Sequence, residues 1–276
     1  MLKLLRAELS RMWRSKLFWA CALITFMSTG IITYIIVFAS SIPVEAIDWD
    51  SQILANSRVS LFGSAAFAAL FIGTDYSDGT IRCKIMVGRT RVQICLANLF
   101  TVMIGSVVIA AAGALPAAAV AAYCGKACFS MSAGDFALGA AVCLCAHLSS
   151  SALVTLIAML IASRSAAVTL SLVLMTGMYA GCAAIHAKLS IPLSYIVTPY
   201  DENGEPGTPY EEANPEAVTG TARVALETLY NTLPFGEISQ SRDIEAARGL
   251  LPLNAFELTA VSAAVCIGVF RKKDLK

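Results

Sequence analysis

Charge is what this chain lacks most. Only 14% of its 276 residues are Asp, Glu, Lys or Arg, against 57% hydrophobic, where a soluble domain carries about 25% charged residues. The apolar residues come in runs too long for core helices, which excludes an enlarged soluble core and indicates a chain built to cross a bilayer. Histidine is nearly missing. His147 and His186 have no cysteine or carboxylate at metal-ligand spacing and no HExxH occurs, which removes a metalloprotease. A GxxxxGKS or GxxxxGKT loop is also absent, and the one Gly-Lys, at Gly125-Lys126, is followed by Ala127, so this chain does not cradle nucleotide phosphates by that route. No internal repeat supports an inverted-repeat transporter. Acidic and basic residues are missing from the centre of every apolar run, which weakens ion-coupled transport and an intramembrane enzyme alike.

What is present is six apolar segments of spanning length, at 17–39, 59–74, 95–123, 136–162, 165–187 and 254–270. The first has a basic flank but is 23 residues long, beyond a signal-peptide core of roughly 7–15 residues, so it is read as a retained helix. The second is short, and the third carries Pro116 among small residues, where a kink facing protein is expected. Orientation follows from basic residues. With the N-terminus inside, segments 1–16, 75–94, 163–164 and 271–276 hold five, four, one and four of them, 14 of the 20 Lys and Arg. The expected fold class is an all-α polytopic membrane protein, one transmembrane domain over 1–276 with both termini inside.

Leu2, Leu5, Leu9 and Met12 recur at helical spacing in 1–16, with Lys3, Arg6, Ser10 and Arg14 between them and Trp13 and Trp19 at belt positions. An interfacial helix is expected there, the alternative being a plain basic flank. The region 188–253 holds seven of the nine prolines. Its stretch Tyr200 to Pro215 is rich in turn residues and reads as irregular, followed by short helices near 219–231 and 237–249. Most of the nine cysteines lie in apolar runs as small hydrophobes. Cys124 and Cys128 sit where a disulfide is permitted, and Cys143 and Cys145 lack redox-pair spacing. His147, followed by three serines, reads as an interhelical hydrogen-bonding group. Gly177 and Gly181 form a GxxxG that permits helix packing, within the chain or between chains.

The loop 75–94 is the most informative soluble segment. Asp78 or Ser77 is expected to cap a short helix beginning near Gly79. Ile81 and Ile85 would share one face, Arg82 and Lys84 would face water or headgroups, and Gly88 would end the helix in a left-handed conformation.

Three stretches resemble one known family, the six-helix (type-2) permeases of ABC transporters. They are Asp75-Tyr76, Gly79-Thr80-Ile81-Arg82 and Gly88-Arg89-Thr90-Arg91 after the second span; Leu233-Pro234-Phe235-Gly236-Glu237 before the last; and the ending Gly268-Val269-Phe270-Arg271-Lys272-Lys273. Asp75 stands where the family often has Glu, and Cys83 where a polar residue is common. The resemblance implies a subunit of the cell membrane, multi-pass and bacterial, that forms an export pathway with a second permease. An ABC ATPase partner would bind the ATP, so no cofactor, metal or nucleic acid is expected on this chain. It assigns 75–94 as the coupling loop, with Asp75, Tyr76, Gly79, Thr80, Arg82, Gly88 and Arg89 transmitting movement from the ATPase. It makes 188–253 an extracellular region and an amphiphilic peptide, antibiotic or lipid-like compound the cargo. The alternatives are a non-transporting accessory or sensor subunit and, behind it, an intramembrane enzyme.

Overall fold

The computed structural model describes residues 1–39, 43, 46–124, 129–161, 163–198, 208–241 and 251–272. Helix α1 (Leu2–Arg14) ends at Ser15, whose extended backbone redirects the chain into α2 (Lys16–Tyr34), itself closed by a π-helical turn at Ile35–Ala39. Then come α3 (Trp49–Ser77), α4 (Thr80–Met86), α5 (Arg91–Cys124), α6 (Ala133–Leu160) and α7 (Arg164–Leu189). Two short strands follow, β1 (Ser194–Val197) and β2 (Tyr210–Ala213), antiparallel with Ser194 opposite Ala213. The chain finishes with α8 (Gly220–Thr232), α9 (Pro234–Ser239) and α10 (Leu251–Lys272).

Six of these helices, α2, α3, α5, α6, α7 and α10, are long and apolar enough to cross a membrane. The chain is therefore an all-α multi-pass membrane protein. Five of the six agree with the expected segments to within a few residues. Helix α3 differs: it starts at Trp49, ten residues before the expected span, with Asp48 accepting a hydrogen bond from the Ser51 amide. The polar run 49–58 hides the helix from a hydropathy reading because its polar groups turn inward. Asp50, Asn56 and Ser57 are buried, and Asn56 Nδ2 donates to the Gly113 carbonyl of α5 at 3.3 Å. Arg58, counted outside the spans by sequence, thus sits at the tenth position of a membrane-length helix.

Helix α3 is the hub, packed by α2, α5, α6 and α7, while α10 lies on α6 and α5. Small residues set how closely the hub is approached. A Cβ on Gly63 would stand 2.1 Å from Thr25 Oγ1, and one on Gly113 would stand 1.9 Å from Ser60 Oγ. By contrast, nothing among the described residues lies within 4 Å of a Cβ on Gly177 or Gly181. Among the described residues the GxxxG pair therefore serves no packing inside the chain. Pro116 is buried and faces Gly30 of α2, on the protein side as expected.

His147 is fully buried, with Nδ1 3.3 Å from Ser64 Oγ and 3.4 Å from Ser106 Oγ. The interhelical reading holds, with different partners: Ser149 and Ser151 bond carbonyls of their own helix, and Ser150 donates to Met175 Sδ. Strand β2 falls inside the stretch expected to be irregular, because pairing with β1 rather than an apolar face defines it. The helix expected near 219–231 is α8. Of the helix expected near 237–249, only 237–239 are helical, as the end of α9, and 242–249 lie outside the described residues, as do the Cys124–Cys128 pairing and the end of the basic tail.

Candidate functional site

Two glycines shape the segment between α3 and α5. Gly79 (φ 67°) and Gly88 (φ 85°) both adopt the left-handed conformation that side-chain-bearing residues avoid. Gly79 stops α3 and starts α4 within one residue, and Gly88 ends α4, donating its amide to Ile85 O at 2.9 Å. The expected cap is corrected: Asp78 closes α3 and Ser77 bonds Thr74 and Asp78, so neither caps α4. Ile81 is buried and Ile85 packs against the core, which fixes the inward face of the seven-residue helix.

Behind that face lies a cluster of buried charge. Asp75, at the end of α3, is fully buried. Arg11 of α1 pairs with it through both guanidinium nitrogens, the second at 3.2 Å. Lys84 Nζ of α4 donates to Asp75 Oδ2 at 2.8 Å, Thr80 Oγ1 to Oδ1 at 2.6 Å, and Asn98 Nδ2 of α5 reaches Oδ2 at 3.5 Å. Lys84 also lies 2.6 Å from Glu8 Oε1 of α1, and Arg11 lies 2.8 Å from Glu8 Oε2. Two acids and two bases from three helices therefore neutralise one another, and the Arg11 guanidinium stacks 4.0 Å from the Phe71 ring. Burial lowers the pKa of Arg11 and of Lys84, and the Glu8 carboxylate opposes that in both.

Lys84 is thus a correction to the sequence reading, which placed it toward water. The same holds for α1. It is an amphipathic helix, but its buried stripe is Leu4, Glu8 and Met12, whereas Leu2 is 82% exposed. The stripe turns inward because Glu8 finds Lys84 there and Met12 finds the core.

Of the residues singled out by sequence, Asp75 and Thr80 meet in this cluster. Tyr76 points elsewhere, its hydroxyl donating to Met159 O of α6 at 2.5 Å. Gly79 and Gly88 are the joints of α4, Arg89 follows with its amide on Lys84 O at 3.1 Å, and Arg82 is exposed on the far side. Sequence reasoning missed Glu8, Arg11, Lys84 and Asn98. It also missed the outward tip of α4, where Met86 and Val87 are 77% and 78% exposed beside exposed Arg82 and Cys83. No group of metal-ligating side chains occurs among the described residues. The arrangement is an apolar knob outside and a charge-paired root inside that ties α4 to α1, α3 and α5.

No protein-family model and no curated protein matches the chain.

Proposed function

We propose that this chain is the permease subunit of an ABC exporter, working with a second permease and driven by an ATPase on separate chains. The observation that carries this reading is the construction of α4: Met86 and Val87 bare at its tip, Lys84 and Thr80 locked to Asp75 at its root. A short helix that only closed a loop would gain nothing by exposing two large apolar side chains, each worth about 1.5–3 kcal/mol when covered. Docked in a partner's groove, the tip would pass a push to α1, α3 and α5 at once, because an ion pair inside a packed bundle resists shear.

In this reading α1, α4 and both termini face the cytoplasm, as the bias of basic residues favours. Asp75, Thr80, Gly79 and Gly88 transmit the movement, Arg82 and Arg89 flank the docking surface, and α8 and α9 face outward. The free face at Gly177 and Gly181 is available to the second permease. The cargo is an amphiphile that enters from the bilayer.

The test is co-expression with candidate ABC ATPases, sought first among the genes that neighbour its own, followed by capture of the complex. Met86→Asp with Val87→Asp should reduce capture at least tenfold while leaving the thermal midpoint of the isolated chain unchanged. Gly79→Ala with Arg82→Gln should weaken capture or separate ATP hydrolysis from export. Undiminished capture and export in both double variants would remove α4 from the mechanism. Capture without export of any amphiphile would favour the accessory-subunit reading.

A further inference from the structure

About 25 Å along α3 from Asp75, at 1.5 Å per residue, Arg58 faces a cavity of about 260 Å³ between α3, α7, α8 and α9. Its Nε is buried without an acceptor, and no ion pair involves Arg58 among the described residues. Arg58 is half-buried, and its buried Nε edge has lost water without gaining an acceptor, a desolvation cost that a bound anion would relieve. Structures keep such a group where an anion arrives.

The neighbouring carboxylates among the described residues do not answer it. Glu227 is paired with Arg223 at 2.8 Å. Glu237 is fully buried on α9 without a hydrogen-bond donor, and burial alone raises its pKa to about 8, so it is largely neutral at pH 7. The remaining wall is aromatic. Tyr179 and Phe235 pack edge to face with ring centroids 5.4 Å apart, and Phe62 backs both. Across the cavity the His186 and Tyr230 rings stack at 5.9 Å, with the Tyr230 hydroxyl 3.4 Å from His186 Nδ1. His186, Tyr230 and Ser239 also line a second cavity of about 320 Å³, whose other walls include Glu227, Asn231 and Gln240. The inner chamber is thus cationic and aromatic, and the adjoining chamber is polar.

We infer that the inner chamber binds the anionic headgroup, phosphate or carboxylate, of an amphiphile, with Arg58 on the charge and Tyr179 and Phe235 against the adjoining carbons. Calling that occupant cargo rests on the permease reading above; the binding itself does not. An unpaired cation selects the sign of the headgroup, and the rings favour a molecule with an apolar part over a free anion.

The experiment uses the full chain in phosphatidylcholine nanodiscs, without any ATPase, so that failure of coupling cannot affect it. The probe is an octyl phosphate carrying a diazirine on its chain. Photolysis should label peptides spanning 179–186 and 230–239, and excess octyl phosphate should block labelling while octyltrimethylammonium does not. Arg58→Gln should reduce labelling at least tenfold, and Arg58→Lys, which keeps the charge, should restore a large part of it. If Arg58→Gln fails to fold, competition by the cationic octyl compound decides alone: competition equal to that of octyl phosphate overturns the proposal. Labelling unchanged in a folded Arg58→Gln also overturns it. Inorganic phosphate competing as well as octyl phosphate would overturn the assignment of an amphiphile.

Discussion

Lys84 reaches back from α4 to hold Asp75, nine residues earlier, at 2.8 Å between Nζ and Oδ2. That one contact joins the left-handed turn at Gly79 to the base of the hub helix. Because Asp75 is fully buried and also holds Arg11, the bond acts as the closing member of a neutral set rather than as a surface ion pair.

Removing one partner of such a set leaves the others uncompensated. Asp75→Ala should lower unfolding stability by about 3–5 kcal/mol, the cost of orphaning a buried charge, read as a large drop in thermal midpoint in detergent. Asp75→Asn keeps the shape and the acceptor oxygen for Thr80, and should recover only a minor part. Arg82→Ala, outside the set, should stay within about 0.5 kcal/mol of the parent.

The pH dependence of stability should carry the mark of Glu237. Burial raises its pKa to about 8 from an ordinary 4.5. Between those values the folded chain holds a proton that the unfolded chain has released, so stability falls as pH rises through that window. Glu237→Gln should flatten the thermal midpoint between pH 5 and 8. At pH 8 it should be more stable than the parent by a few kcal/mol, since each pKa unit is worth about 1.4 kcal/mol. A parent midpoint that does not decline over this range would contradict the burial of Glu237.

Cys95 of α5 and Cys266 of α10 are free and buried, with sulfurs 2.9 Å apart. A membrane-permeant oxidant that accepts the two electrons and two protons should join them, since a disulfide needs a separation of about 2.05 Å. Peptide mapping should find that intrachain link, and Cys95→Ser should abolish it. In the coupled complex the link should stop cycling if α5 and α10 move relative to one another.

Two glycine substitutions should behave in opposite ways. Gly236→Ala would place a methyl 1.8 Å from the Tyr230 carbonyl oxygen, a backbone clash that forces α9 away from α8 and should destabilise the chain by more than 1 kcal/mol. Gly177→Ala meets nothing within 4 Å among the described residues and gains about 1 kcal/mol of helix propensity, so monomer stability should hold or rise. A fall in dimer fraction on Gly177→Ile, by light scattering or pull-down between tagged copies, would locate a second permease on that face.

The spans were legible because bilayer thickness writes itself into run length, and Gly79 and Gly88 were legible as chain joints. Asp75 and Thr80 stood out through their place in a motif. Their partners did not, for a physical reason: Glu8, Arg11 and Lys84 belong to segments where charge ordinarily faces water, and only tertiary proximity tells a paired charge from a solvated one. One trace existed. Glu8 is four residues from both Leu4 and Met12, so an acid shared the stripe that a helix of this pattern buries. That Arg58 shares one helix with 59–74 was hidden for a related reason, since a hydropathy window treats every polar residue as water-facing, whereas α3 turns Asp50, Asn56 and Ser57 inward.

That trait of α3 has a consequence for biogenesis. It is the least apolar of the six membrane-length helices, yet four of the other five pack on it. It carries Asp50, Asn56 and Arg58 in its first ten residues. Charged residues oppose entry into lipid, by about 2.5–3.5 kcal/mol each at a helix centre and by less toward its ends, and α3 leaves the ribosome before α5, α6 and α7 exist to receive those groups. The helix at the middle of the finished bundle is therefore expected to commit to the bilayer late, held at the translocon until its neighbours arrive.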